Sequence, residues 1–143
     1  MVDLHEHVAR RLQADDQRYT ANRRAVVEAL AEARRPLSIP QLLEVRRDLA
    51  QSSVYRNLTV LERVGAVHRI VTNDEFARYE LAEDLTGHHH HSICAHCGAV
   101  DDFRLSPKLE AELDAALRRI AKRQGFRADS HRLDLVGTCT RCT

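Results

Sequence analysis

Four amphipathic helical segments, a pair of alternating segments after them, and a last stretch holding two Cys-x-x-Cys pairs predict an α+β chain. The expected architecture is an N-terminal winged helix-turn-helix over residues 1–84. A small α/β dimerisation domain with a four-cysteine structural zinc site follows over residues 85–143.

The elements follow in order. Leu4, Val8 and Leu12 recur at i, i+4 and i+8 and mark a first helix. Thr20 is placed to cap a second that runs to about Ala33, with Val26, Val27 and Leu30 inward and Pro36 beyond its end. Ser38-Ile39-Pro40-Gln41 reads as a capping box with proline in the first turn, and the third helix then buries Leu42, Leu43 and Leu49. Ser52 is the expected cap of a fourth helix, whose Val54, Leu58 and Leu61 form one stripe before Gly65 ends it. Residues 66–71 and 76–81 alternate and are joined through Thr72-Asn73-Asp74-Glu75 as a hairpin, the wing. After a hinge-like stretch from Glu83 to Gly87, a strand is expected over 99–103. A helix over 107–124 follows, with Leu109, Leu113, Leu117, Ile120 and Ala121 inward, and then an alternating segment from His131 to Val136. So short a second module has a marginal core by itself, which zinc and self-association would supplement.

With 43% hydrophobic and 30% charged residues the composition is that of a soluble globular protein. No apolar run reaches the ~18–20 residues that span a bilayer, and MVDLHEHVARR has no signal-peptide core, so a cytoplasmic, reducing compartment is expected. Arginine outnumbers lysine 20 to 2. Basic residues exceed acidic ones up to Asn73 and the reverse holds after it, so only the first part is expected to meet a polyanion. The fourth helix is the natural reader of a major groove, with Ser53, Tyr55, Arg56 and Asn57 near its exposed start: Arg can pair with guanine edges, Asn with adenine, and hydroxyls with phosphate.

Cys94, Cys97, Cys139 and Cys142 form two knuckles 41 residues apart, the pattern of a closed tetrahedral zinc site that holds a fold and performs no chemistry. Before the first knuckle stands His88-His89-His90-His91. In an extended stretch, His88 and His90 face one side while His89 and His91 face the other, so the run can feed two metal sites. Its plainer reading is a solvated polar turn. His5, His7 and His96 are expected to be solvated.

Taken together, several segments resemble the ferric uptake regulator (Fur) superfamily of bacterial metalloregulators. They are Arg18-Tyr19-Thr20-x-x-Arg23, Ser53-Val54-Tyr55-Arg56-Asn57-Leu58, residues 88–91 running into Cys94-x-x-Cys97-Gly98, Gly125-Phe126, His131 and Gly137-x-Cys139-x-x-Cys142. The resemblance covers nearly the whole chain. It implies a winged-helix DNA reader, a dimerisation domain, and metal binding that controls operator affinity. It adds Arg18 and Tyr19 to the candidate DNA contacts.

The resemblance also distributes the metal ligands. A regulatory site would use His68, Glu80, His89 and His91; His68 stands where some zinc-uptake regulators (Zur) place a wing ligand, and Glu80 where iron and peroxide members place a carboxylate. A third site would use His88, His90, His131 and a helix carboxylate, Glu110 in preference to Asp114. Two departures stand out. Ala82 replaces a cysteine used by zinc members, and Arg34-Arg35-Pro36-Leu37 lacks the histidine that iron and peroxide members carry before the third helix.

The implied function is a homodimeric, metal-dependent repressor of metal-homeostasis genes on a palindromic duplex, closest to the Zur-like members, with zinc as corepressor. Fe2+, Mn2+ or Ni2+ are alternatives at the regulatory site, and no membrane or small organic substrate is expected. The alternatives are an iron- or peroxide-responsive regulator of the same superfamily and, remotely, a zinc hydrolase, against which the absence of an H-E-x-x-H or a Ser/His/Asp set counts.

Overall fold

A computed structural model describes residues 3–72 and 76–143. The first helix, α1 (Leu4–Ala14), is capped by the Asp3 side chain, and α2 (Ala21–Ala33) by Thr20, as its position predicts. A two-residue strand that periodicity does not reveal, β1 (Leu37–Ser38), precedes α3 (Ile39–Val45), whose capping box of Ser38 and Gln41 is complete. The third helix is shorter than expected: Leu49 is buried, but in the irregular segment after it. The cap of α4 (Gln51–Arg63) is Ala50 and not Ser52, and no side chain bonds the first turn. Ser52 falls two residues too late, because the helix already begins at Gln51. Gly65, at φ +78, ends α4: its N–H donates to Glu62 and that of Ala66 to Leu61.

The wing strands are shorter than the alternating segments: β2 (Val67–Ile70) and β3 (Arg78–Leu81). Their turn at 73–75 lies outside the described residues. The sheet order is β1-β3-β2, all antiparallel, with His68 opposite Glu80. Leu12, Val26, Val27, Leu42, Val54, Leu58 and Leu61 lie under these elements in one contiguous core that reaches from Val8 to Leu81.

A single helical turn, α5 (Glu83–Thr86), occupies the hinge-like stretch. Arg11 of α1 reaches it through an ion pair with Asp84 while donating to the Gly65 carbonyl at 2.6 Å. Gly87, at φ +99, lies so close to Arg104 that an added Cβ would stand 2.9 Å from its guanidinium. Beyond it β4 (His90–Cys94) pairs antiparallel with β5 (Val100–Phe103) and parallel with β6 (Asp134–Gly137), and α6 (Pro107–Arg123) connects the two outer strands.

Here the structure departs from the expected inward stripe. Ala121 is buried and Leu113 and Leu117 half-buried, but Leu109 and Ile120 are exposed. Alternation from His131 also fails to bury anything in β6: Leu135 is 61% and Val136 66% exposed. Few apolar side chains are buried in this part, Val100 and Ala121 being the main ones, so the sheet lacks the hydrophobic support that the first part enjoys.

Among the described residues no helix is long and apolar enough to cross a membrane.

Candidate metal centres and nucleic-acid interface

Among the described residues, three groups of ligand-type side chains gather around the β4 strand. The first is the four-cysteine set. Gly98, at φ +77, allows the turn of the first knuckle, and β6 carries the second knuckle alongside because Cys94 and Gly137 are in register. All four thiols are free of disulfides. Cys97 Sγ and Cys139 Sγ are 3.7 Å apart, close to the roughly 3.8 Å edge of a tetrahedron whose sulfurs lie about 2.3 Å from zinc. The backbone N–H groups of Cys97 and Cys139 donate to Cys94 Sγ at 3.4 Å each and draw its pKa down to about 5, so it is a thiolate at neutral pH.

On one face of the histidine run, Glu110 of α6 receives three imidazoles. His88 Nε2 and His131 Nε2 lie 2.8 and 2.7 Å from Glu110 Oε1, and His90 Nε2 lies 2.8 Å from Oε2. His90 is 2% exposed and its Nδ1 has no hydrogen-bond partner among the described residues. Asp114 stands behind this group: it pairs with Arg118 and approaches only the far nitrogen of His131, at 3.6 Å. Glu110 is therefore the carboxylate in the cluster. Burial pushes the Glu110 carboxyl up, but hydrogen bonds from His90 and His131 outweigh it and bring the pKa to about 2.

On the other face, Glu80 from β3 meets His89 and His91. Their Nε2 atoms are each 2.9 Å from a separate oxygen of the carboxylate. The fourth member is Asp102, opposite His91 in the β4–β5 ladder, at 3.7 Å from His89 and 3.4 Å from His91. Sequence reasoning missed it, because Asp101 and Asp102 are adjacent and only the register decides which one faces the histidines. His68 is not in the set. It is exposed on the edge strand β2, across from Glu80 on the same face, and lines a cavity of about 310 Å³ together with Glu80, His89 and His91.

The chain orients these imidazoles before any ion arrives. His89 Nδ1 donates to the Gly87 carbonyl at 2.9 Å, which aims Nε2 at Glu80. Glu83, also missed, sits 2.5 Å from His88 Nδ1 and accepts from the backbone N–H of His89 at 3.3 Å, touching both histidine faces. Burial lowers the His89 pKa, but the Gly87 carbonyl and the Glu80 carboxylate outweigh it, so the net shift is upward. Glu80 shows the reverse balance: burial raises its pKa, and the hydrogen bonds from His91 and His89 bring it below the ordinary range.

These shifts give a pH dependence. A depressed carboxylate contributes stability above its unfolded pKa of about 4.5 that is lost as pH falls through the folded value, as for Glu80 and Glu110. A raised imidazole contributes stability below its unfolded pKa of about 6.5 that is lost as pH rises through the folded value, as for His89. Protein with only its cysteine site loaded is therefore expected to be most heat-resistant between about pH 5 and 6.5. Added metal should stabilise it more at pH 8 than at pH 6, because bound imidazoles must shed their protons. Thermal melts across that range check both statements.

The nucleic-acid candidates divide. Tyr55 is 61% exposed, and Arg56 and Arg18 are also exposed. Asn57 is not presented outward: three residues after buried Val54, it shares the inward stripe and is 7% exposed. Its amide donates to Ser53 Oγ at 3.2 Å and accepts from Arg23 Nε at 3.1 Å, while Asn22 donates to the same Ser53 oxygen. Ser53 and Asn57 thus tie α4 to α2 and set the angle of the reader. Tyr19 is half-buried, 2.6 Å from His5 Nδ1, and burial pushes its pKa up to about 12. His5 is thereby engaged and not simply solvated.

The ferric uptake regulator family model matches residues 14–136. The ferric uptake regulation protein of Bacillus subtilis is 30% identical over 144 residues, covering 96% of this chain and 93% of that protein. That of Cupriavidus metallidurans is 34% identical over 100 residues, covering 70% of this chain and 65%, just under two thirds, of its own length. Among solved structures, the Helicobacter pylori ferric uptake regulator, described as having three functional metal binding sites, superposes with a TM-score of 0.75 at 26% identity. The match covers 97% of this chain and 91% of that one.

Proposed function

We propose, from the premise that this chain belongs to the ferric uptake regulator family of metal-responsive transcriptional regulators, that it is a homodimeric repressor whose grip on DNA is set by a metal held between β3 and β4. The observation that carries this reading is the Glu80–His89–His91–Asp102 group. Glu80 belongs to the wing sheet, His91 and Asp102 to the sheet beyond α5, and His89 to the segment that leads into β4, so one ion ligated by all four fixes the two sheets to each other. We set the domain boundary at the hinge, near residues 84–85.

Zinc is the corepressor we propose, in a Zur-like role, since two imidazoles and two carboxylates satisfy its tetrahedral preference. The exchange of His68 for Asp102 makes the donor set richer in oxygen. That favours Fe2+ or Mn2+ as a second reading. The four cysteines hold a structural zinc, and His88, His90, His131 and Glu110 form a third site that ties α6 to β4.

Exposed Leu135 and Val136 on β6, with Leu109 and Ile120 on α6, are apolar surface that a second copy covers. Two α4 helices then meet successive major grooves of a palindrome, Arg56 contacting bases and Tyr55 and Arg18 the phosphate backbone. Leu135→Glu is expected to convert the dimer to a monomer, and to lower affinity for a palindromic duplex at least tenfold; sedimentation and gel shift measure each. A dimer of unchanged stability would remove β6 from the interface. The metal is identified by titrating DNA binding at buffered free Zn2+, Fe2+ and Mn2+ in turn; affinity that ignores all three would contradict the reading.

A further inference from the structure

A second cavity, of about 580 Å³, shares Glu80 and His89 with the first and is not lined by His68. Glu80, His89 and Asp102 form one part of its wall, and Arg34, Arg35 and Arg104 another. Arg104 is fixed: its guanidinium donates to the Thr86 carbonyl at 3.0 Å and the His88 carbonyl at 3.2 Å. Arg34 and Arg35 have no carboxylate partner among the described residues.

Arg34 also occupies an unusual backbone position. It ends α2 at φ +53, in the left-handed region where glycine or asparagine is the ordinary occupant and a side chain costs on the order of 1 kcal/mol. A long cationic residue kept there, beside a second one and against the wall of a cavity, is a feature that α2 does not need for its own ending.

Charge sharpens the point. On the reading above, a divalent cation is neutralised by the two carboxylates Glu80 and Asp102, and the imidazoles are uncharged. The three guanidinium groups of the cavity, all on exposed residues, then face no protein carboxylate that the cation has not neutralised. Guanidinium cannot ligate a metal, but it binds planar and tetrahedral oxyanions through paired N–H donors.

We propose that this cavity binds a small polyvalent oxyanion, a phosphate or a dicarboxylate, held by Arg34 and Arg35 with Arg104 at the wall, immediately beside the interdomain metal. The site rests on the metal reading, because only a bound divalent cation neutralises the Glu80 and Asp102 carboxylates that share the cavity wall with the arginines. It makes the protein responsive to an anionic metabolite as well as to a metal.

The test is calorimetric titration of the full-length, zinc-loaded protein with inorganic phosphate and, separately, with succinate, a weak chelator, in 0.15 M chloride, where diffuse attraction is screened beyond about 8 Å. Saturable binding of one probe is expected, and identifies its class. Arg34→Asn combined with Arg35→Gln should weaken it at least tenfold; asparagine keeps the left-handed turn, and an unchanged far-ultraviolet spectrum and melting temperature show that α2 is intact. Absence of saturable binding by either probe, or equal affinity in the double variant, would overturn the proposal. Cobalt absorption bands monitor the Glu80 group independently, so a failure of the metal reading shows as missing bands while the anion titration is still read.

Discussion

Cys97→Ala is expected to cost the chain the zinc proposed for its four cysteines and, with it, the fold of everything beyond the hinge. Cys97 is itself exposed, so the substitution removes almost no packing and its effect isolates the metal. Structural zinc contributes an apparent 10–16 kcal/mol in small zinc-dependent folds, as much as the whole stability of an ordinary domain. The β5-β4-β6 sheet has little else to replace it, since its buried apolar side chains are few and α6 keeps Leu109 and Ile120 in solvent. The variant should therefore hold one zinc fewer per chain, run as a monomer, and show an early melting transition ahead of a second one. The later transition belongs to the α1–α4 core, which lies entirely between Val8 and Leu81. A variant that retains the metal and a single transition would show that the cysteines do not staple this sheet.

The second large effect is on regulation. His89→Ala should bring metal-loaded DNA affinity down to the metal-free level, a loss of roughly 5- to 150-fold if the coupling is the usual ~1–3 kcal/mol. His89 is buried, its ring oriented by Gly87 and shared between Glu80 and Asp102. His68→Ala should change affinity less than twofold, because that imidazole stays exposed on the edge strand. Equal losses in the two variants would restore His68 to the ligand set at the expense of Asp102. Gel shifts at buffered metal, with a duplex selected by the wild-type protein, compare them.

Local signals in the sequence reach much of this architecture. Thr20 and Ser38 are placed as caps and act as caps, and the Val54, Leu58 and Leu61 stripe is buried, because each depends on neighbours within one or two helical turns. Alternation also foretells that adjacent histidines diverge, since a strand forces it: His88 and His90 turn to Glu110, His89 and His91 to Glu80. What is not legible depends on register or on a partner. Asp102 is selected over Asp101 only by the β4–β5 pairing. Asn57 reads as a groove contact from its residue type, yet helical phase turns it inward to Ser53 and Arg23. The α6 stripe has the right spacing for burial and remains partly in solvent, because periodicity marks a face as apolar without naming what covers it. Ser52 is a good capping residue two positions too far along, since Ala50 is the cap and the helix begins at Gln51.

The central claim is that the ion between β3 and β4 and the duplex under α4 are thermodynamically linked, and linkage is reciprocal. The direct measurement is the affinity of the Glu80–His89–His91–Asp102 group for metal, in the presence and absence of saturating operator duplex. The account predicts that DNA tightens metal binding by the same factor, within error, by which metal tightens DNA binding. Metal affinity that is identical with and without DNA would contradict it.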